Sequence, residues 1–596
     1  MNYKDASPDV TVNRIRTLLE KVGVRTREVL YENQGLSYSN RISLDNPGFE
    51  TLDIGTNGKG MSYDFSMASG YAELMERLQN KFLVNEAMRY ANLLSDTYSL
   101  PFRFYPDEQL NTCSSSEFRE VVKKIFPKYK SSQIEDDLQV EWLSVPFACI
   151  SANQTTIEQV PIVLARANTS TGMCAGNTPA EAILQGINEI FERYVLQRIY
   201  IDEITPPSYP KDYFNGTKIE LRLKQLEQMG YIYDVKDMSL GIGLPVVGLI
   251  LTNLSNGTTM CRLGADLSEE IALERCFTEI FQGRTDTEMR FIDYSLEVNL
   301  NDAERRTSEY KKTLKNGTGY MPLAFFGGEP SYSFTPFQLK RTGDTKQDLH
   351  NVVQYIHNLG CTLYVRDNSF LDFCTYHVIV SGLTEQDPIL WDVMKDYKNA
   401  WQCTKKENCT IVSDMNSTVV WPMYNLKAQH DLRGFIRNNY PNDDTLRLAP
   451  YCSAPQNYIN KYLLLFLFAI KNEDYADAVG YFNDFMQQRE EQGYGYNAYL
   501  SCVKVYVQMK AKGLETNMHA YLSHFYDEDT IHEVLADFSN PMDIMKNYSF
   551  PTCFNCSACP LQDNCHFVHV IQFEQLLQNC QINNPIDQTK LFNILH

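Results

Sequence analysis

Three segments of this 596-residue chain repeat one arrangement of charge. The first reads SGYAELMER, with Ser69, Glu73, Glu76 and Arg77. The second reads NEIFER, with Glu189, Glu192 and Arg193, and has Gln185 and Glu181 one and two turns earlier. The third reads ERCFTEIFQGR, with Arg275, Glu279, Gln282 and Arg284. Each sets an acid, two large apolar residues, then another acid or an amide. Positions three apart share a helix face. Glu73 with Glu76, and Glu189 with Glu192, therefore present paired carboxylates, while Leu74, Met75, Ile190 and Phe191 point toward a core. Like charges so spaced cost about 0.2–0.5 kcal/mol in an isolated helix. At the edge of buried surface, repulsion and desolvation are worse. Two such pairs that face each other need cations. Hard oxygen donors without nearby His or Cys favour Mg2+, which keeps positions open for substrate phosphates. Arg275, Arg284 or Lys59 then suits phosphate oxygens. The plainer reading, a solvated charge face, fits any one of the three segments taken alone.

Lys plus Arg number 54 and Asp plus Glu number 74, a net charge of −20. That excess argues against a chain built to grip nucleic-acid phosphate or an anionic membrane. With 43% hydrophobic and 12% aromatic residues, the chain can fill several cores. At about 150 residues per domain, roughly four domain-sized units are expected. The start, MNYKDASPDVTVNR, lacks the pattern of a signal peptide. The longest apolar run, Tyr462 to Ile470, falls short of the ~18–20 residues that span a bilayer. A soluble, cytoplasmic protein is expected, with no membrane and no direct nucleic-acid partner. In a reducing compartment its 16 Cys are thiols or metal ligands rather than disulfides.

Periodicity predicts helices over 11–23, 67–82, 179–201, 268–283 and 347–359, and strands within 141–165 and over 245–252, 361–365 and 376–380. Pro179 suits a first helical turn that Thr178 caps. TNGKG (Thr56 to Gly60) and STGMCAGNT read as loops. TNGKG lacks the order of a P-loop. The second loop has two readings: an anion cradle at a helix N-terminus, or an ordinary capped loop. From 456 to 540 the pattern becomes helical, with antiparallel helices over 457–471, 475–489 and 497–512, and an apolar helix lies near 568–577.

Taken together, TNGKG, SxxxExxER, GMxAGNT leading to NEIFERYV, and ALERxxTExxQGR resemble the YcaO family, above all its stand-alone bacterial members. The likeness covers most of 1–395 and extends more loosely into the helical part. It implies an α/β (α+β) fold with a three-layer ATP-binding core; the small-and-aromatic spacing of AIKNEDYADAVGYFNDFM adds the expectation of a helical-repeat, TPR-like C-terminal domain. The likeness also implies ATP and Mg2+ as cofactors. Family members activate a peptide amide: a nucleophile adds to the carbonyl, ATP phosphorylates the oxygen, and phosphate leaves. Carried over by motif, Ser69, Glu73 and Glu76 belong to the first ATP/Mg2+ segment. Asn177, Glu181, Gln185, Glu189, Glu192 and Arg193 belong to the second, and Arg275 and Glu279 to the third. Of these, Glu73, Glu76, Glu189 and Glu192 are the expected Mg2+ ligands. KDASPDVTVNR resembles a phosphate-contacting segment, which makes Lys4, Thr11 and Arg14 candidates. Thr11 and Cys174 each stand where the family pattern has serine.

Azoline-forming members end in a proline-rich tail; this sequence ends NNPIDQTKLFNILH, which tells against cyclodehydration. The stand-alone bacterial members are associated with β-methylthiolation of an aspartate in a small-subunit ribosomal protein, as accessory to the radical enzyme RimO. The resemblance thus implies a peptide or ribosomal-protein substrate, a RimO-like partner and a homodimer. Two alternatives stay open: a thioamide- or azoline-forming enzyme of peptide natural products, and a non-catalytic, partner-recruiting scaffold.

Cys553, Cys556, Cys559 and Cys565 form C-x2-C-x2-C-x5-C. Four thiols so dense suit an iron–sulfur cluster, with structural zinc the rival. The expected organisation is a core over 1–395, an irregular connector over 396–455, a helical domain over 456–545, and a Cys-cluster segment with a final helix over 550–596.

Overall fold

Glycine and β-branched residues, placed against amphipathic helices, build the part of the chain that carries the three charged segments. The computed structural model describes residues 4–31, 37–84, 99–128, 139–152, 154–282, 291–295, 300–386, 409–413, 418–422, 445–447, 451–452, 458–491, 493–514, 517–539, 556–559 and 561–595. Arg284 and Cys553 lie outside the described residues. The chain divides into two compact units, one of 1–83, 101–394 and 573–596, the other of 84–100 and 395–572.

The first unit mixes helices with antiparallel sheets. Helix α1 (Pro8–Lys21) precedes the strands β1 (Thr26–Tyr31), β2 (Tyr38–Leu44) and β3 (Gly55–Gly60), which form one sheet in that order. Helix α2 (Tyr63–Gln79) packs on β2 and β3. A larger sheet runs β4 (Gln109–Ser114), β5 (Gln139–Ile150), β11 (Leu363–Asp367), β12 (Thr375–Val380) and β7 (Met173–Ala175), with β6 (Thr155–Pro161) pairing β5. Helix α3 (Pro179–Asp202) lies on β12 and β7, and helix α5 (Thr345–Asn358) packs beside it. The third sheet is β10 (Thr259–Ala265), β9 (Val246–Asn253) and β8 (Tyr231–Asp237), covered by α4 (Glu269–Phe281).

The cores follow from these contacts. Ile183, Ile187, Ile190 and Phe191 of α3 share a buried core with Leu363, Val365, Val378 and Val380 of the large sheet. Ala272, Leu273, Cys276 and Phe277 of α4 do the same with Val247, Leu249 and Leu251 of β9. Leu74, Met75, Ile190 and Phe191, which separate the paired acids, are fully buried.

Two expected loops are strands. TNGKG lies in β3, whose register pairs Asn40 with Gly58 and Ser39 with Lys59. Burial alternates along it, so that Thr56, Gly58 and Gly60 face α2 while Lys59 faces the other way. In STGMCAGNT, Met173 to Ala175 pair with β12. Gly172, at φ +85°, turns the chain into that strand against the Val378 carbonyl.

The second unit is largely helical. It holds α6 (Lys461–Lys471), α7 (Tyr475–Glu491), α8 (Ala498–Ala511), the short Met518–Leu522 helix and α9 (Glu528–Ser539) around a core of Leu464, Phe468, Phe482, Val503 and Phe538. Segment 396–455, expected to be irregular, contributes strands Cys409–Ser413, Thr418–Pro422 and Thr445–Arg447, which form a four-stranded sheet with Tyr458–Asn460. Among the described residues no helix is long and apolar enough to cross a membrane.

Candidate functional site

The three charged helices start alike. Ser62 accepts the Phe65 N–H at 3.3 Å ahead of α2, Thr178 the Glu181 N–H at 3.2 Å ahead of α3, and Ser268 the Ile271 N–H at 3.4 Å ahead of α4. Each cap satisfies one of the first-turn donors that a helix cannot pair internally. Each helix also meets a strand through glycine. A Cβ on Gly58 would sit 2.1 Å from the Ser66 carbonyl of α2, and one on Gly264 would sit 2.2 Å from the Ala272 carbonyl of α4. On α3, a Cβ on Gly186 would meet the Cys174 sulfur at 2.9 Å. Hydrogen alone fits there, and the helix faces are thereby fixed close to their strands.

Those faces converge on one cavity of about 370 Å3 in the first unit. Helix α2 supplies Ser69, Glu73, Glu76 and Arg77; α3 supplies Glu181, Gln185, Glu189, Glu192 and Arg193; α4 supplies Arg275, Thr278 and Glu279, with Gln282 just past its end. Lys4, Thr11, Lys59 and Asn177 complete the wall. Among the described residues, Arg14 is the one ATP or Mg2+ candidate read from sequence that is outside the lining. Its guanidinium donates to the carbonyls of Asn177 (3.3 Å) and Asp372 (2.8 Å) and lies over the Phe373 ring, so it braces the wall from behind. Cys174 is also behind the wall: it is fully buried, and its thiol donates to the Tyr376 carbonyl at 3.6 Å.

Among the described residues, seven glutamates line the cavity against five lysines or arginines, so negative charge is in excess. Arg77 spans Glu73 (3.2 Å) and Glu76 (3.0 Å), and Arg193 stands 3.8 Å from Glu189. Lys59 pairs with Glu279 and reaches the Gln282 side-chain oxygen at 3.3 Å. Burial pushes Glu76 well above the usual carboxylate range; Arg77 opposes this, and Glu189 and Glu73 reinforce it. Burial likewise raises Glu189. Glu192 is pushed up to about 7 by burial and by Glu279, against Arg193. Glu279 goes the other way: burial opposes its charge, but Lys59 outweighs burial and lowers it. The apo cavity thus holds more carboxylate than its own cations neutralise. Proton uptake relieves part of that excess.

In the cavity wall, Lys4 meets Glu181 at 3.4 Å, and the Asp5 N–H donates to the same carboxylate at 2.9 Å. The Thr11 hydroxyl donates to Asn177 at 2.9 Å, so the hydroxyl kept in place of serine is in use. Behind the lining residue Arg275, the buried Asp266 holds Arg275 at 3.2 Å and Arg341 at 2.6 Å. Burial opposes the charge on Asp266, and its bonds to Arg341, with Arg275, overcome this and lower it. Sequence reasoning missed Asp266, Arg341, Thr278 and Glu274. The available signal for Asp266 was its place at a strand end, two residues before the Ser268 cap, whose N–H it accepts at 3.1 Å.

In the second unit, Cys556 and Cys559 lie on a single 3-10 turn, and Cys565 forms an isolated antiparallel bridge with Cys452. Burial pushes the Cys565 thiol up to about 11, and Cys452, Cys559 and Cys556 add to the shift.

Comparison with known proteins bears on the first unit above all. A family profile described as YcaO cyclodehydratase, ATP- and Mg2+-binding, matches residues 57–384. An uncharacterised protein of Haemophilus influenzae is 26% identical over 402 residues, which are 65% of this chain and 66% of that protein. The Escherichia coli protein named ribosomal protein S12 methylthiotransferase accessory factor YcaO is 25% identical over 408 residues, 65% of this chain and 67% of that one. The chain thus spans about two thirds of the length of these relatives. Among solved structures, a heterocyclase in complex with substrate and cofactor aligns with a TM-score of 0.44 at 18% identity, covering 64% of this chain and 53% of that one. YcaO from Methanopyrus kandleri bound with AMPPCP and Mg2+ aligns with a TM-score of 0.39 at 15% identity, covering 64% and 92%.

Proposed function

Because this chain belongs to the YcaO family, we propose that its glutamate-lined cavity takes ATP with Mg2+ and activates a peptide amide by phosphorylation. The observation that carries this is the convergence of the carboxylates of α2, α3 and α4 on one cavity with a surplus of negative charge. The donor set fits the metal. Its ligands are hard oxygens, and no His or Cys is among the lining residues described. Glu73, Glu76, Glu189 and Glu192 would hold Mg2+, which supplies positive charge to phosphate oxygens. Lys59, Arg193 and Arg275 are placed to take the remaining phosphate charge, Arg275 being oriented by Asp266. Lys4, Thr11, Asn177 and Glu181 would contact the nucleotide as well. The reaction class is phosphoryl transfer to the oxygen of an amide to which a nucleophile has added. The protein's part in it is positioning and charge neutralisation.

The name of the E. coli relative supports an accessory role in methylthiolation of a ribosomal protein; the family resemblance adds RimO as the enzyme served and an aspartate β-carbon as the position modified. The cysteine segment is read as holding a thiolate-bound metal, an iron–sulfur cluster or zinc.

The test is ATP turnover of wild type and Glu76→Gln with graded Mg2+. A loss of about 100-fold or more is expected in the variant, the scale of removing one preorganised electrostatic group. Equal or absent turnover in both, with partner binding intact, would favour a scaffold. In cells, loss of the protein should remove the methylthio group from the small-subunit ribosomal protein, read by intact-mass analysis. An unchanged mass, with a precursor-peptide gene adjacent, would favour peptide natural-product chemistry.

A further inference from the structure

The dense C-x2-C-x2-C-x5-C run draws attention to its own four residues, yet the fold brings in a cysteine from far earlier in the chain. Cys452 and Cys565 face each other in an isolated antiparallel bridge. The His566 N–H donates to the Tyr451 carbonyl at 2.9 Å, so the Cys452–Cys565 pair is the non-hydrogen-bonded kind. In such a pair the Cα atoms approach to about 4.5 Å and both side chains leave the ribbon on the same face. The rings of Tyr451 and Phe567, 5.4 Å apart, flank the bridge and fix its register.

A second pair arises locally. Cys556 opens a 3-10 turn, and the Cys559 N–H donates to the Cys556 carbonyl at 3.1 Å. In that helix, side chains three apart eclipse one another, so both thiols lie on one edge. The next turn continues through Gln562 N–H to Cys559 carbonyl (3.2 Å) and Cys565 N–H to Gln562 carbonyl (3.1 Å), which returns the chain to the bridge. One cysteine of the turn reaches the bridge: Cys452 and Leu561 form one buried cluster, with Cys559 and Cys565 packed against it. Cys452 is only 2% exposed.

We propose that Cys452, Cys556, Cys559 and Cys565 are the four thiolate ligands of one metal centre, with Cys452 a ligand that the contiguous motif omits. This rests on the reading of the cysteine segment as a metal site and changes its ligand set. Two pairs of thiols, one cross-strand and one within a turn, are the arrangement that four-coordinate thiolate sites are built from. Among the described residues no three of these sulfurs lie within 4.8 Å of one another, a spread wider than one four-coordinate zinc sets and better suited to a cluster of several irons. Leu561 packs with Cys452, Cys559 and Cys565 and gives that side of the site an apolar neighbour.

The experiment uses the full chain, purified without oxygen, as wild type, Cys452→Ser, Cys553→Ser and Cys502→Ser. Iron, acid-labile sulfide and zinc are measured, together with the visible spectrum. Cys502 is a fully buried core thiol of α8 and controls for damage to the helical unit. Circular dichroism checks that each variant is folded. The expected result is one metal centre in wild type and in the Cys553→Ser and Cys502→Ser variants, and its loss from Cys452→Ser. If the centre is zinc, cobalt substituted into wild type shows sulfur-to-metal charge-transfer absorption, absent or reduced by about a quarter in Cys452→Ser. Metal retained in Cys452→Ser and lost from Cys553→Ser overturns this ligand set and leaves the contiguous one. Wild type holding neither iron nor zinc sinks the metal reading itself, as would a Cys452–Cys565 disulfide recovered by peptide mapping.

Discussion

At Glu192 a proton and a bound cation make opposite demands on one carboxylate. Burial and Glu279 push it up to about 7, against Arg193 and Lys59. The unfolded chain gives up this proton near the ordinary 4.5, and the folded one holds it to higher pH. The linked stabilisation is therefore complete below the ordinary value and is lost as pH rises through about 7. A metal ion competes with that proton. Mg2+ binding should release protons at about pH 6 to 7 and fewer as pH rises further, read by calorimetry in two buffers of different ionisation heat. Glu192→Gln should reduce the release and leave the share of Glu76 and Glu189, whose carboxyls burial also raises; an affinity that is flat with pH in wild type would contradict the assignment. The paired acids themselves are legible in sequence because three-residue spacing defines a helix face whatever the tertiary context. The supporting pair Asp266 and Arg341 is not, because the residues lie far apart in sequence and only the fold joins them.

At the scale of elements, the three helix–strand junctions decide whether the carboxylates meet at all. Gly58→Ala would drive a methyl group to 2.1 Å from a helix carbonyl, so α2 and β3 must part. The expected loss is about 1–3 kcal/mol, the scale of overpacking, read by denaturant unfolding. Mg2+-dependent ATP turnover should fall with it, since Glu73, Glu76 and Lys59 ride on those two elements. Gly480, exposed on α7 with open space around it, is the contrast. There, alanine should stabilise by about 0.4–1 kcal/mol through helix propensity. Equal responses at the two sites would remove the argument from close approach. The same junctions explain why TNGKG reads as a loop in sequence and is a strand in the fold. Glycine carries no strand propensity, so its strand is imposed by α2 rather than by local preference.

Over the whole molecule, chain order and spatial order part company. Residues 573–596 belong to the first unit, whereas the sequence suggests a self-contained final segment with the cysteines. Hydrophobicity near 568–577 signals burial, but it does not say against what. The structure supplies the partner: Phe573 meets Phe49 at 5.2 Å, and Gln588 exchanges two hydrogen bonds with the Asp367 backbone. Lys81 is buried and pairs with Glu574 at 2.6 Å. Removing one partner strands the other charge, so Glu574→Ala should cost about 3–5 kcal/mol. The double variant Lys81→Met with Glu574→Leu should recover most of that in chemical denaturation. A mild Glu574→Ala, or a double variant as unstable as the single, would show that the last stretch is not held by this pair.

The Cys452–Cys565 bridge also has a meaning for how the chain is assembled. Everything from Tyr458 to Ser539 leaves from one side of it and returns to the other. The helices are thus a detour with a common entry and exit. Tying such a detour shut once removes about 4.7 kcal/mol of chain entropy for a hundred residues, and that cost grows only as the logarithm of length. A helical hairpin could be spliced in or out of the detour while its two ends stayed where they are.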